Sequence, residues 1–180
     1  MVNENTLPLK NLRQLLHEES SLTLFQKVLL TTDGSVTELL SMYTGEQIRA
    51  EKIEHSITYG GGPQILGCSE NAQFLHRKIL LKGSGKSYLF AESFFVFDRF
   101  STSMQYKLLH TDAPIGLLWR QEKVEMYREI VGAGIEICER TASYFDMPGD
   151  TRLLSRTYLI FQGGGPLGVI TEKFPLAYFH

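Results

Sequence analysis

A chain of 180 residues with a net charge of −2 is long enough for one domain with a sizeable core, and it carries neither the basic field of a nucleic-acid binder nor an acidic tail. No apolar run reaches the ~18 residues of a membrane span, and residues 1–20, with Lys10, Arg13 and Glu18 among them, lack the apolar stretch of a signal peptide. Two separated cysteines, Cys68 and Cys138, and five scattered histidines offer no metal-ligand spacing, so the expectation is a cytoplasmic protein with free thiols and no metal.

Leu9, Leu12, Leu15 and Leu16 recur at helical spacing and predict a short amphipathic helix at the N-terminus. Ser20-Ser21 opens a second predicted helix to about Leu30, with Leu22, Phe25, Val28 and Leu29 on one side. Asp33-Gly34 breaks the chain, and Ser35 with Glu38 reads as a capping box for a helix that Gly45 closes. That helix start leaves the backbone N–H groups near Val36 and Thr37 available, either as a plain cap or as a seat for a carboxylate. Residues 47–57 are expected to form a strand. The run 56–69 contains Gly60-Gly61-Gly62-Pro63 but lacks the Lys-Ser/Thr ending of a phosphate loop, and it reads as a mobile surface loop.

Residues 74–97 read as two strands joined by the turn Gly83-Ser84-Gly85-Lys86, with glycines placed where positive φ is needed. Alternate side chains of a strand share a face, so Arg77 points the same way as Leu75, Ile79 and Leu81, while His76, Lys78 and Lys82 point away. A guanidinium aimed along an apolar row is costly unless an anion meets it. Ser101 or Ser103 caps the next helix through Leu109, and Asp112 and Pro114 start another that leaves the N–H groups of Ile115 and Gly116 free. Residues 123–137 fit both strand alternation (Val124, Met126, Arg128, Ile130) and a helical face (Val124, Tyr127, Val131), and the pattern alone does not choose. Residues 153–161 form a strand that places Arg156 beside Leu154, Tyr158 and Ile160. The turn Gly163-Gly164-Gly165-Pro166 joins it to a last strand, 168–174, in which Glu172 shares its face with Ile170 and Phe174. Two readings of the inward charges stay open: a buried Arg77–Glu172 salt bridge, or a closed site whose two groups grip opposite ends of one small molecule. Trp119, Tyr127 and the Phe90, Phe94, Phe95 group read as core rather than as a ligand platform. Helices early, then hairpins with helices between them, imply a single α+β domain over residues 1–180 on an antiparallel sheet.

The segments VLLTTDGSVTELL, FLHRKILL, SYLFAES, APIG, and SRTYLIF followed by PLGVITEKFP stand in the order and spacing of the chorismate pyruvate-lyases. Over about residues 22–178 the chain resembles the diverged single-domain branch of that family, whose members make 4-hydroxybenzoate outside the ubiquinone pathway. The resemblance implies a six-stranded antiparallel sheet with helices packed on one side and an internal, closed site. It also implies cleavage of the enolpyruvyl ether of chorismate to 4-hydroxybenzoate and pyruvate, in secondary aromatic metabolism, with no metal or organic cofactor. By the same resemblance Arg77 binds the aromatic carboxylate, Glu172 meets the ring hydroxyl, and amides near Val36, Thr37, Ile115 and Gly116 help hold the carboxylate. Glu92 stands where ubiquinone-pathway members carry an arginine, which would leave the second carboxylate of chorismate to Arg156 or Arg128. The same fold also serves as the effector-sensing domain of bacterial transcription regulators, behind a winged-helix domain. About twenty residues precede the similar region here, fewer than such a domain needs. The expectation is therefore a lyase with a small-molecule substrate, no nucleic-acid partner and no membrane span. The alternatives are a stand-alone aromatic-acid sensor and an enzyme of this fold acting on another substrate.

Overall fold

A computed structural model of the chain describes residues 12–111 and 115–180. Strands β1 Arg49–Tyr59, β2 Gln73–Lys82, β3 Ser87–Val96, β4 Tyr127–Ile137, β5 Arg152–Gln162 and β6 Gly165–Pro175 form one six-stranded sheet in the order β1-β2-β3-β6-β5-β4. Every neighbouring pair is antiparallel. The sheet is thus two meanders, β1-β2-β3 and β4-β5-β6, joined where β3 pairs with β6. Helices α1 Leu12–Glu18, α2 Leu24–Thr31, α3 Val36–Thr44, α4 Thr102–His110 and α5 Ile115–Gln121 pack on one face, and α6 Glu139–Ser143 links β4 to β5. This is the antiparallel α+β architecture that the resemblance implies. Among the described residues no helix is long and apolar enough to cross a membrane.

Strand alternation decides which side chains meet the helices. Leu75, Phe95, Leu154, Ile160 and Phe174 are fully buried on the covered face against Leu29, Leu30 and Leu40. On the other face two smaller apolar clusters form, one around Leu66, Phe74 and Leu159, the other where Phe145 packs on Leu80, Phe90 and Leu153. Between them runs a polar strip. There His76 lies 2.9 Å from Glu54 and 2.8 Å from Glu92, and Lys78 lies 2.7 Å from Glu54. The outward facing of His76 and Lys78 is as alternation predicts.

Several local expectations change in three dimensions. The second helix starts at Leu24 rather than at Ser20-Ser21. Thr23 caps it, with Gln26 completing a capping box, and Gln26 Nε2 also donates to the carbonyls of Leu176 (3.0 Å) and Phe179 (2.6 Å). A tertiary anchor thus fixes that helix start. Ser35 caps α3 by accepting from Glu38 N at 3.3 Å and Gly45 closes it at φ 70°, as read, but the Glu38 side chain turns away to Arg120. The 83–86 turn does not use positive φ at its glycines. Gly83 is small because Glu46 reaches in: Ser84 N donates to Glu46 Oε2 at 2.7 Å, and a Cβ on Gly83 would lie 1.9 Å from that oxygen. Positive φ belongs to the last hairpin, at Gly163 (58°) and Gly164 (81°). The ambiguous stretch 123–137 splits. Lys123, at φ 48°, follows α5, and β4 begins at Tyr127, where pairing with β5 settles the strand. Leu9, and Asp112 and Pro114 as the start of α5, lie outside the described residues.

Candidate functional site

The central strands supply a floor with a gap in it. Arg77 pairs across β2–β3 with Ser93, and Glu172 pairs across β6–β3 with Ala91. Both charged groups therefore face the helices from either side of β3, which contributes only small side chains between them. Two strand spacings set them roughly 10 Å apart laterally, with one two-residue step of about 7 Å along the strand. Over this gap α3 and α5 leave a cavity of about 610 Å³, within the ~300–1,000 Å³ range of small-molecule sites.

The two charges differ in what they meet. Arg77 is 4% exposed, its Nε is buried with no partner, and among the described residues no carboxylate pairs with it. Burial alone pulls its pKa down to about 10. Glu172 is buried too, but both of its oxygens are engaged. Arg156 Nε donates to Oε2 at 2.7 Å, and the Tyr158 hydroxyl donates to Oε1 at 3.0 Å. Arg156 is held in turn by donating from Nη1 to the carbonyl of Thr32 at 2.7 Å. Burial, with the Glu172 charge beside it, pushes the Tyr158 hydroxyl far above the ordinary tyrosine range and keeps it a neutral donor. The Arg77–Glu172 salt bridge is therefore not formed: Glu172 takes Arg156, its cross-strand neighbour on β5, and Arg77 is left facing open space.

Arg77, Glu172, Val36, Thr37, Ile115 and Gly116 all line the one cavity. Arg156 does not; it lies behind Glu172 as that residue's ionic support. Arg128 does line it, donates to the carbonyls of Asp33 and Gly34 just ahead of α3, and sits 5.9 Å from the centre of the Tyr158 ring. Glu92 is on the opposite face of the sheet with His76 and does not line the cavity. The walls carry four basic side chains (Arg77, Arg120, Lys123, Arg128) against three acidic ones (Asp33, Glu38, Glu172), a balance that suits an anionic ligand. At the exposed rim Arg120 meets Glu38 at 2.7 Å, joining α5 to α3, and the guanidinium holds the Glu38 carboxyl below its ordinary range. Among the described residues no cluster of three or more His, Cys, Asp or Glu could hold a metal ion. Tyr158 was legible as an inward neighbour of Arg156, two residues on. Trp119, read as core, is 6% exposed and also lines the cavity.

A family model described as Chorismate pyruvate-lyase Rv2949c-like matches residues 30–179. The chain belongs to this chorismate pyruvate-lyase family. Every cavity-lining residue falls inside the matched span. A chorismate pyruvate-lyase of Mycobacterium leprae is 32% identical over 155 residues, covering 82% of this chain and 72% of the relative. One of Mycobacterium tuberculosis is 25% identical over 165 residues, covering 82% of this chain and 78% of the relative. Among solved structures, the effector domain of PhnF from Mycobacterium smegmatis superposes with a TM-score of 0.65 at 13% identity, covering 83% of this chain and 93% of that one. That likeness is one of fold. Chorismate pyruvate-lyase family members and regulator effector domains thus share the sheet described above.

Proposed function

We propose that the cavity binds a small aromatic or cyclohexadiene carboxylate, and that the chain is a cofactor-independent lyase cleaving chorismate to 4-hydroxybenzoate and pyruvate. The observation that carries this reading is Arg77, a buried cation on the cavity floor that no carboxylate of the described residues meets. A ligand carboxylate supplies the missing partner, in a bidentate pair that suits a planar guanidinium. Amides at the start of α3, near Val36 and Thr37, reinforce it, with Ile115 and Gly116 closing the wall from α5. Across the gap, Glu172 is fixed by Arg156 and Tyr158 before any ligand arrives, and it accepts a hydrogen bond from the C4 hydroxyl of the ring. Of the two guanidiniums considered for the enolpyruvyl carboxylate, Arg128 is the one on the cavity wall.

The chemistry asks little more of the protein. When the C3–O bond breaks, its electron pair leaves with enolpyruvate, and loss of the C4 hydrogen makes the ring aromatic. Enolpyruvate takes up a proton and tautomerises to pyruvate. The driving force belongs to the substrate, so the site's contribution is to position it and to exclude water. Family membership supports this reaction, with a different substrate for the same fold as the variation on it. The fold likeness to the PhnF effector domain supports a second reading, a domain that holds an aromatic acid without transforming it.

The test is to incubate purified protein with chorismate and quantify pyruvate and 4-hydroxybenzoate, with Arg77→Ala and Glu172→Gln alongside. Equimolar products, reduced roughly a hundredfold or more by each substitution in folded protein, support the lyase. Saturable binding of chorismate or 4-hydroxybenzoate without products supports the binding domain. Neither products nor binding overturns both.

A further inference from the structure

Beyond Arg77, a second buried polar group on a residue of the cavity wall has no partner among the described residues. The indole Nε1 of Trp119 finds no acceptor among the described residues, although the side chain is 6% exposed and lines the cavity. Buried tryptophan N–H groups normally have a partner, and one left unpaired costs free energy that a purely structural core residue would avoid. The ring is also held in place. It meets Phe95 edge-on at 5.6 Å and 75°, and the Trp119 carbonyl accepts from Val124 N at 3.0 Å where Lys123 turns the chain out of α5.

The register orders the groups along the floor. Glu172 stands at the level of Ala91, Arg77 at the level of Ser93, and Phe95, which supports Trp119, one further inward step along β3. Trp119 therefore lies past Arg77 as seen from Glu172, at the carboxylate end of a ligand stretched between those two. An indole N–H can only donate, and a carboxylate has about four lone-pair positions, enough for a guanidinium and an indole together.

We propose that Trp119 is a ligand-binding residue that donates its indole N–H to the same ligand carboxylate that Arg77 binds. The proposal rests on the aromatic-acid reading above and adds a residue to it: the carboxylate seat is a guanidinium and an indole, so the site favours a planar carboxylate over a neutral amide or aldehyde of the same ring. Trp119 is the sole tryptophan of the chain, so its emission reports on this contact directly.

The experiment titrates 4-hydroxybenzoate into the protein, following Trp119 emission and heat in parallel. The same titration is run on Trp119→Phe and on protein carrying the benzothiophene isostere of tryptophan at position 119, in which sulfur replaces N–H at nearly constant shape. The expected result is a saturable emission change with the calorimetric midpoint in the parent. In the isostere, affinity falls roughly tenfold or more, while the melting midpoint of the ligand-free protein does not fall. An isostere that binds within about twofold of the parent overturns the proposal. If Arg77→Met abolishes binding while the isostere does not, the aromatic-acid reading stands and the Trp119 contact falls alone. A parent that binds no 4-hydroxybenzoate removes both.

Discussion

Arg77 carries a full charge where water barely reaches it. Burial draws its pKa well below the ordinary arginine value, to about 10. Below the folded value both folded and unfolded chains keep the proton, so at neutral pH the penalty is present in full, on the order of 3 kcal/mol. It is relieved only as pH rises through about 10 towards the ordinary arginine value, where the folded chain sheds the proton first. Arg77→Met keeps an extended side chain and removes the charge, so the ligand-free variant is expected to melt several degrees above the parent. A lower midpoint would mean that Arg77 has a structural role that its surroundings do not show. Glu172 behaves oppositely. Its charge is matched by Arg156 at 2.7 Å, and removing either partner leaves a buried unpaired charge at a cost of about 3–5 kcal/mol. Two inward charges that look alike in sequence are thus a paired support and an open grip.

At the scale of elements, the join between the two meanders is the tightest point. Phe95 of β3 lies opposite Gly168 of β6, and a Cβ on Gly168 would come within 2.3 Å of the Phe95 ring and 2.8 Å of the Phe94 carbonyl. The second contact is with backbone, so the strands must part to admit a methyl group. Gly168→Ala is expected to lower stability by about 1–3 kcal/mol, read as a lower urea midpoint at unchanged slope. An unchanged midpoint would show the β3–β6 join to be looser than described. Much of this layout is written in local alternation. The facing of Arg77, Arg156, Tyr158 and Glu172 follows from a two-residue period that needs no knowledge of neighbours. What alternation cannot supply is the partner. That Glu172 meets Arg156 and not Arg77 depends on which strands pair and in what register. The same limit explains the other differences. Gly83 is small because of Glu46, thirty-seven residues earlier in the chain (residue 83 against residue 46). The start of α2 is fixed by carbonyls at Leu176 and Phe179. Strand β4 was undecided until β5 lay beside it, and Trp119 read as core because an unpaired N–H has no signature in sequence.

The whole molecule places its cavity at the centre of the sheet, over the β3–β6 join, under the two helices α3 and α5 that Arg120 and Glu38 tie together at the rim. The opposite face is closed by its own apolar clusters and a polar strip, so the cavity draws its walls from the helix-covered side. Membership of the chorismate pyruvate-lyase family and the open charge of Arg77 then point the same way, to an organic acid held between Arg77 and Glu172. The most direct test is titration calorimetry of 4-hydroxybenzoate into the parent and into Arg77→Met. The expected result is saturable one-site binding by the parent and a loss of roughly a hundredfold or more in Arg77→Met, although that variant melts no lower. Equal affinity in the two proteins, or no binding by the parent, would contradict a carboxylate seat at Arg77.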